Sequence, residues 1–361
     1  MSKIRVLVVD DSALSRALLT ETLSKDSGIE VAYAAPNATL ALGYLEKNQL
    51  DLVVLDVEMP KIDGIETLRR IRKSGNTIPV LMCSSLTLRG AETTLTALSE
   101  GASDYIGKPS ASFPREDFER EITAKVHALC GSKVAATAPA PERPPVARIV
   151  PRAPARAPSG GRPRAVAIGC STGGPNALAV VFAELFRPLS VPMFIVQHMP
   201  PLFTKLLAER LAAQSGQIVK EGEHGEVVKP GICYLAPGGS HMTVARDKTD
   251  VRIVLNEDPP ENFCRPAVDV LFRGLAQVYG GDVFATVLTG MGHDGSLGAQ
   301  ALVEVGARVV VQDPDTCVVP SMPSGVISAG AAHATLPLEE IGRELDRVGN
   351  GSPPKAVGGM R

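Results

Sequence analysis

No uninterrupted apolar run in this 361-residue chain approaches the ~20 residues that a membrane-spanning helix needs, which argues against a helical membrane protein. No leader is expected either: Met-Ser-Lys-Ile-Arg enters an apolar strand directly, without the long apolar region and cleavage site of a signal peptide. A soluble protein of cytoplasmic location is expected. The six cysteines (83, 130, 170, 233, 264 and 317) include no C-x-x-C pair, which speaks against both a zinc site and a disulfide framework. They read as mostly buried small apolar residues. Histidines at metal-ligand spacing, such as H-E-x-x-H, are absent too. Nor is there an excess of positive charge, since 37 Lys and Arg face 39 Asp and Glu. Neither folded part reads as a basic nucleic-acid surface.

What is present suffices for ordinary cores: 44% of the residues are hydrophobic and 21% charged. The length is great for one core, so two domains are the natural division. A composition break supplies the boundary. Residues 131–163 hold eight prolines, eight alanines and five arginines, with almost nothing large and apolar. Such a segment has too little apolar surface to offset the entropy of ordering and stays extended. Its positive charge reads as solvation that keeps it extended, or as docking on an acidic partner. The expected layout is a first domain over 1–125, a helix end and flexible linker over 126–163, a second domain over 164–348, and a flexible Gly/Pro-rich tail over 349–361.

In the first domain, apolar runs at Ile4–Val9, Leu52–Leu55, Val80–Cys83 and Asp104–Ile106 alternate with helical spacing, as over Ser15–Ser24. This alternation predicts an α/β fold with a parallel sheet covered on both faces. In that architecture, polar residues at the carboxyl ends of strands converge at a switch-point crevice. Asp10 and Asp11 end the first strand and Asp56 the third. Ser84 and Lys108 end the fourth and fifth. Three crowded carboxylates repel one another, and hard oxygen ligands with open positions suit magnesium. Singly, strand-end aspartates often cap helices or form surface turns.

All five residues together, in the segments Val-Val-Asp-Asp-Ser, Val-Leu-Asp-Val-Glu-Met-Pro-Lys-Ile-Asp-Gly, Cys-Ser-Ser and Gly-Ala-Ser-Asp-Tyr-Ile-Gly-Lys-Pro, resemble the response-regulator receiver domain, a flavodoxin-like fold. The resemblance implies that Asp56 accepts a phosphoryl group from a histidine kinase. It implies that Asp11, Asp56 and the backbone carbonyl of Glu58 hold Mg2+, with Asp10 in support. Lys108 would pair with the phosphate and Ser84 would hydrogen-bond it. Tyr105 stands at the family's aromatic switch position, or is simply a half-buried tyrosine flanking the sheet.

The second domain opens on Gly169-Cys170-Ser171-Thr172-Gly173-Gly174-Pro175, where an apolar strand breaks into glycines and then a helix. Ser171 fits the G-x-S-x-G nucleophile pattern, and Pro175 suits a first helical turn, whose free N–H groups would stabilise an oxyanion or a phosphate. A structural strand-to-helix turn and a nucleotide-binding loop are equally compatible with the motif alone. Two later strand ends add weight. The strand Met193–Val196 leads to His198, and Val283–Leu288 leads to Asp294. On one edge of a parallel sheet these can meet Ser171 as nucleophile, base and orienting carboxylate. His293, adjacent to Asp294, is the weaker base, because neighbours on a tight turn point apart. The order Ser, His, Asp differs from the Ser, Asp, His order of α/β-hydrolases, which indicates the same chemistry on another fold.

These segments, with Val-Gln-His-Met-Pro, Tyr-Leu-Ala-Pro-Gly-Gly-Ser-His-Met, Leu-Thr-Gly-Met-Gly-His-Asp-Gly and Pro-Ser-Met-Pro-Ser-Gly-Val, resemble the chemotaxis protein-glutamate methylesterase/protein-glutamine deamidase (CheB) family. The implied fold is two doubly wound parallel-sheet domains, the second Rossmann-like, joined by the Pro/Ala/Arg-rich linker. The implied activity is a phosphorylation-activated serine hydrolase that demethylates glutamate γ-methyl esters and deamidates glutamines on chemoreceptors. Ser171, His198 and Asp294 would be catalytic, and the backbone amides of Thr172 and Met291 would form the oxyanion hole. The esterase would use no cofactor. Partners would be methyl-accepting chemoreceptors, through which alone the protein meets the membrane, and a chemotaxis histidine kinase. A receptor-binding module without turnover is the rival reading, and a DNA-binding output is disfavoured by the acidic, glycine-rich second domain.

Overall fold

The computed structural model describes residues 3–111, 113–137 and 161–354. The chain forms two compact units that divide near residue 144. The first runs β1 (Ile4–Val9), α1 (Ala13–Ser24), β2 (Ile29–Ala35), α2 (Ala38–Leu45), β3 (Leu52–Asp56), α3 (Gly64–Lys73), β4 (Val80–Ser84), α4 (Leu88–Ser99), β5 (Asp104–Gly107) and α5 (Arg115–Thr137). Its five strands are parallel in the order β2-β1-β3-β4-β5, the flavodoxin-like order. β3, β4 and β5 are buried along their whole length, as strands covered by helices on both faces must be. The helices start where the sequence supplies caps: Ser12, Asn37, Asp63 and Thr87 each accept a backbone N–H of the first turn.

α5 runs to Thr137, past the point where composition placed the start of the linker at Gly131. Alanines 135 and 136 favour continuation of a helix already nucleated. The rest of the Pro/Ala/Arg-rich stretch, 138–160, and the end of the tail, 355–361, lie outside the described residues.

The second unit runs β6 (Ala165–Cys170), α6 (Gly174–Ala183), β7 (Met193–Gln197), α7 (Phe203–Ser215), β8 (Ile218–Glu221), β9 (Ile232–Leu235), β10 (His241–Asp247), β11 (Asp250–Asn256), α8 (Val268–Tyr279), β12 (Val283–Val287), α9 (Ser296–Glu304), β13 (Arg308–Gln312), α10 (Ser321–Ser328), β14 (Ala334–Leu336) and α11 (Leu338–Gly349). Seven parallel strands stand in the order β14-β13-β12-β6-β7-β9-β8. The doubly wound α/β reading therefore holds for both units. One element departs from it: β10 and β11 form a separate antiparallel hairpin. From β6 the chain winds outward to β7, β9 and β8, then returns through the hairpin and α8 to β12 on the other side of β6. The winding direction reverses between β6 and β12, which opens a crevice at their carboxyl ends. A core of buried aliphatics and aromatics, including Phe194, Tyr234, Phe272 and Leu302, fixes the sheet against α8 and α9.

Candidate active site and receiver pocket

Ser171, His198 and Asp294 follow the carboxyl ends of β6, β7 and β12, three strands that are neighbours in the sheet. The Ser171 turn is held from both sides. Its N–H donates to the Thr289 carbonyl at 3.1 Å, and its carbonyl accepts from the Gly174 N–H at 2.7 Å and from Gln197 Nε2 at 3.0 Å. The left-handed backbone of the turn falls on Gly173, with φ of 77°, and not on the serine. The sharp turn is thus relieved by the residue that tolerates it. The β12 loop lies close against the serine, since a Cβ on Gly290 would stand 2.9 Å from Ser171 Cβ and 2.2 Å from Met322 Sδ. Among the described residues, the N–H groups of Thr172 and Met291 donate to no protein acceptor.

The imidazole of His198 is engaged at both nitrogens. Nε2 lies 2.7 Å from Asp294 Oδ2 and Nδ1 lies 3.3 Å from Cys264 Sγ. The Ser171 hydroxyl is bonded to neither among the described residues. Asp294 is buried and its carboxylate is densely satisfied. Oδ2 also accepts the Val268 N–H at 2.6 Å, while Oδ1 accepts Asn262 Nδ2 at 3.1 Å and the N–H groups of Asp269 and Gly295 at 3.0 Å each. Burial pushes its pKa up, but the hydrogen bond and charge of His198 and the amides at the start of α8 prevail, leaving it near about 2. His293 is exposed and makes no hydrogen bond to this carboxylate among the described residues.

Three residues of the site escaped sequence reasoning. Cys264, read with the other cysteines as small and apolar, is half-buried and touches the imidazole. Asn262 Nδ2 bridges Asp294 and Asp269 at 3.1 Å each. Asp269 is buried beside Asp294, and desolvation together with that neighbouring charge raises its pKa to about 6. All three sit on the β11–α8 loop or at the start of α8, away from any strand end. Asn262 and Phe263 there adopt φ of 52° and 63°, left-handed values that cost on the order of 1–3 kcal/mol each outside glycine. The Asn-x-Cys…Pro-x-x-Asp spacing before a helix was the available signal.

In the first unit, Asp10, Asp11 and Asp56 bring one carboxylate oxygen each within 4.8 Å of one another. Asp10 and Asp56 are buried and Asp11 is exposed. Lys108 Nζ bridges the two buried groups, 2.9 Å from Asp10 Oδ2 and 2.8 Å from Asp56 Oδ1. Desolvation raises the Asp56 pKa to about 6 against the opposing pull of Lys108. One ammonium cannot neutralise three carboxylates. The all-oxygen donor set with an exposed member fits a hard divalent cation. The Glu58 N–H sits 3.4 Å from Asp56 Oδ1. The Ser84 hydroxyl points elsewhere, donating toward the carbonyls of Ser85 and Gly90 at 3.2 Å. Tyr105 is buried rather than half-buried, with Lys125 Nζ 5.4 Å from its ring centroid.

Among the described residues no helix is long and apolar enough to cross a membrane. Residues 6–114 match the response regulator receiver domain family and 166–345 the CheB methylesterase family. The chain is 46% identical over 352 residues to a protein-glutamate methylesterase/protein-glutamine glutaminase of Nocardioides sp., covering 96% of each chain. It is 42% identical over 358 residues to the protein of that description from Trichodesmium erythraeum, covering 96% of this chain and 99% of the relative. The crystal structure of the Thermotoga maritima CheB methylesterase catalytic domain aligns with a TM-score of 0.50 at 42% identity, covering 51% of this chain and 97% of that domain. Receiver pocket, switch-point site and full-length likeness coincide in one chain, which belongs to the protein-glutamate methylesterase/protein-glutamine glutaminase family.

Proposed function

We propose that this protein is a phosphorylation-activated serine hydrolase that demethylates glutamate γ-methyl esters and deamidates glutamines on chemoreceptors, with Ser171, His198 and Asp294 as its catalytic residues. The observation that carries the reading is the His198–Asp294 pair at 2.7 Å, on strands flanking the Ser171 turn. Asp294 occupies Nε2, so Nδ1 is the nitrogen left to receive the serine proton. The Ser171 oxygen attacks the ester carbonyl as its proton passes to Nδ1. The oxyanion is held by the open N–H groups of Thr172 and Met291, a contribution worth about 3 kcal/mol per donor in related chemistry. The imidazolium returns the proton to the methoxy oxygen and methanol leaves. Water then attacks the acyl-serine with His198 again as base, releasing glutamate and restoring Ser171. A glutamine side chain follows the same route and releases ammonia.

Asp56 is the phosphoryl acceptor in this reading. Asp11 and Asp56, with the Glu58 carbonyl and Asp10 in support, would hold the divalent cation. When bound, Mg2+ neutralises charge on the incoming phosphoryl oxygens. Lys108 then exchanges its present carboxylate partners for the phosphate, and Ser84 must turn from the Ser85 and Gly90 carbonyls to reach it. The donor is a chemotaxis histidine kinase and the site of action the cytoplasm, at the receptors. Methanol release from methylated receptor, with and without a small-molecule phosphodonor, tests both halves. Release unchanged in Ser171→Ala sinks the catalytic assignment. No release by the wild type favours a binding module without turnover.

A further inference from the structure

The reaction above needs Nδ1 of His198, and Cys264 Sγ already sits on it at 3.3 Å. The loop that delivers this sulfur is pinned on both sides. The N–H of Cys264 donates to the Glu261 carbonyl at 2.8 Å and the N–H of Glu261 to the Cys264 carbonyl at 3.1 Å. Asn262 is tied through its side chain to Asp294 and Asp269. Arg265 Nη1 donates to the Glu257 carbonyl at 2.7 Å. The buried ring of His241 accepts the Ala267 N–H at Nδ1 and lies 3.2 Å from the Pro259 carbonyl through Nε2. Left-handed backbone at both Asn262 and Phe263 turns the chain so that the next side chain meets the imidazole. A loop braced at this many points, and bent at two non-glycine residues, holds its thiol at one ring nitrogen by construction.

We propose that Cys264 is a positioning residue of the esterase, which holds His198 through Nδ1 in the resting enzyme and yields that nitrogen to Ser171 when substrate enters. Sulfur and hydroxyl compete for one proton-accepting position, so Cys264 sets both the ring's orientation and the pH range over which it accepts a proton. The inference rests on His198 acting as the base for Ser171. The titratable groups around the ring are Asp294 at Nε2, Asp269 behind it on α8, Cys264 at Nδ1, and the ion pair of Glu261 on the same loop with Arg273 of α8. Burial disfavours charge on the imidazole and the hydrogen bond and charge of Asp294 favour it, leaving the ring's pKa raised. A protonated ring cannot take the serine proton. An S–H donated to Nδ1 favours the unprotonated nitrogen, so the thiol extends activity toward the acid side.

The test compares full-length wild type, Cys264→Ala and Cys264→Ser by two measurements. The first is the pH profile of methanol release from methylated receptor. Removal of the sulfur in Cys264→Ala moves the acid limb of kcat/KM up by about half a pH unit or more and leaves KM within twofold. Cys264→Ser, which keeps a hydrogen-bonding side chain, falls between the two. The second is NMR titration of the His198 ring, which needs no turnover; its pKa rises in Cys264→Ala. Superimposable kcat/KM profiles and an unchanged ring titration overturn the proposal. Release that persists in Ser171→Ala discredits the catalytic reading instead, and the ring titration still decides the role of Cys264.

Discussion

Each unit of the molecule carries a buried aspartate at the carboxyl edge of a parallel sheet, and the two behave oppositely. Asp56 meets one ammonium and one long contact from the Glu58 N–H, and its pKa rises to about 6. Asp294 meets five donors, two of them amides at the N-terminus of α8, and its pKa falls to about 2. Burial is similar, at 2% and 1% exposed. The number and direction of donors decide the outcome, since desolvation disfavours both charges alike. An under-satisfied carboxylate has room for a cation and a covalent partner, the role proposed for Asp56. A saturated one is chemically quiet, which suits the proposed role of Asp294 in aiming another group.

The sharpest break of this contrast is at the serine that the His198–Asp294 pair is proposed to serve. Ser171→Ala is expected to lower kcat for methanol release by up to ~10⁶-fold while leaving the melting temperature of the second unit within a degree or two, read by calorimetry beside the assay. Asp294→Asn follows, with a loss on the order of 10⁴-fold from a mis-set imidazole tautomer. Here the second unit also loses stability by several kcal/mol in denaturant titration, because an amide cannot accept five hydrogen bonds. An Asp294→Asn chain as stable as the wild type would remove the saturated-carboxylate argument.

Asp56→Asn is expected to act in the opposite direction, stabilising the first unit at pH 7 by about 2–3 kcal/mol in the absence of divalent cation. The sign follows from proton binding. A folded-state pKa of about 6 against 3.8 means the folded chain holds more protons between pH ~4 and ~6, so stability falls as pH rises through that window. Adding Mg2+ should recover the difference in wild type and do nothing for Asp56→Asn. For Asp294, lowered from 3.8 to about 2, the contribution is present above pH ~4 and disappears as pH falls toward 2. Acid titrations of the two units should therefore slope in opposite directions. The smallest effect expected is at Gly290→Ala, where the new methyl collides with Met322 and Ser171. A cost of about 1–3 kcal/mol, with a fall in kcat, would show that the β12 loop must approach the serine turn.

Strand-end logic read most of the architecture directly from residues, because β6, β7 and β12 are apolar runs that end in Gly, Gln-His and Thr-Gly punctuation. It could not order the strands, and so could not tell that β12 and β7 flank β6. Backbone specials were equally hidden. Asn262 and Phe263 adopt left-handed φ without a glycine to signal it, and so the loop carrying Cys264 gave no sign of reaching His198. Ser84 shows another limit, since its place at the end of β4 was evident from sequence while the direction of its hydroxyl depends on the fold of the following turn. Where α5 ends within 126–163 was not legible for a simpler reason: alanine is common in linkers as well as in helices, and only packing earlier in the helix tells them apart.

The binding of Asp294 to the first amides of α8 joins the end of β12 to the helix that crosses the sheet before it. The carboxylate that aims the imidazole also fastens the fold. On the proposed assignment, damage at position 294 in a cell should therefore surface as lost protein, cleared by quality control, whereas damage at position 171 should leave an intact, inert molecule competing with the working one for its substrate.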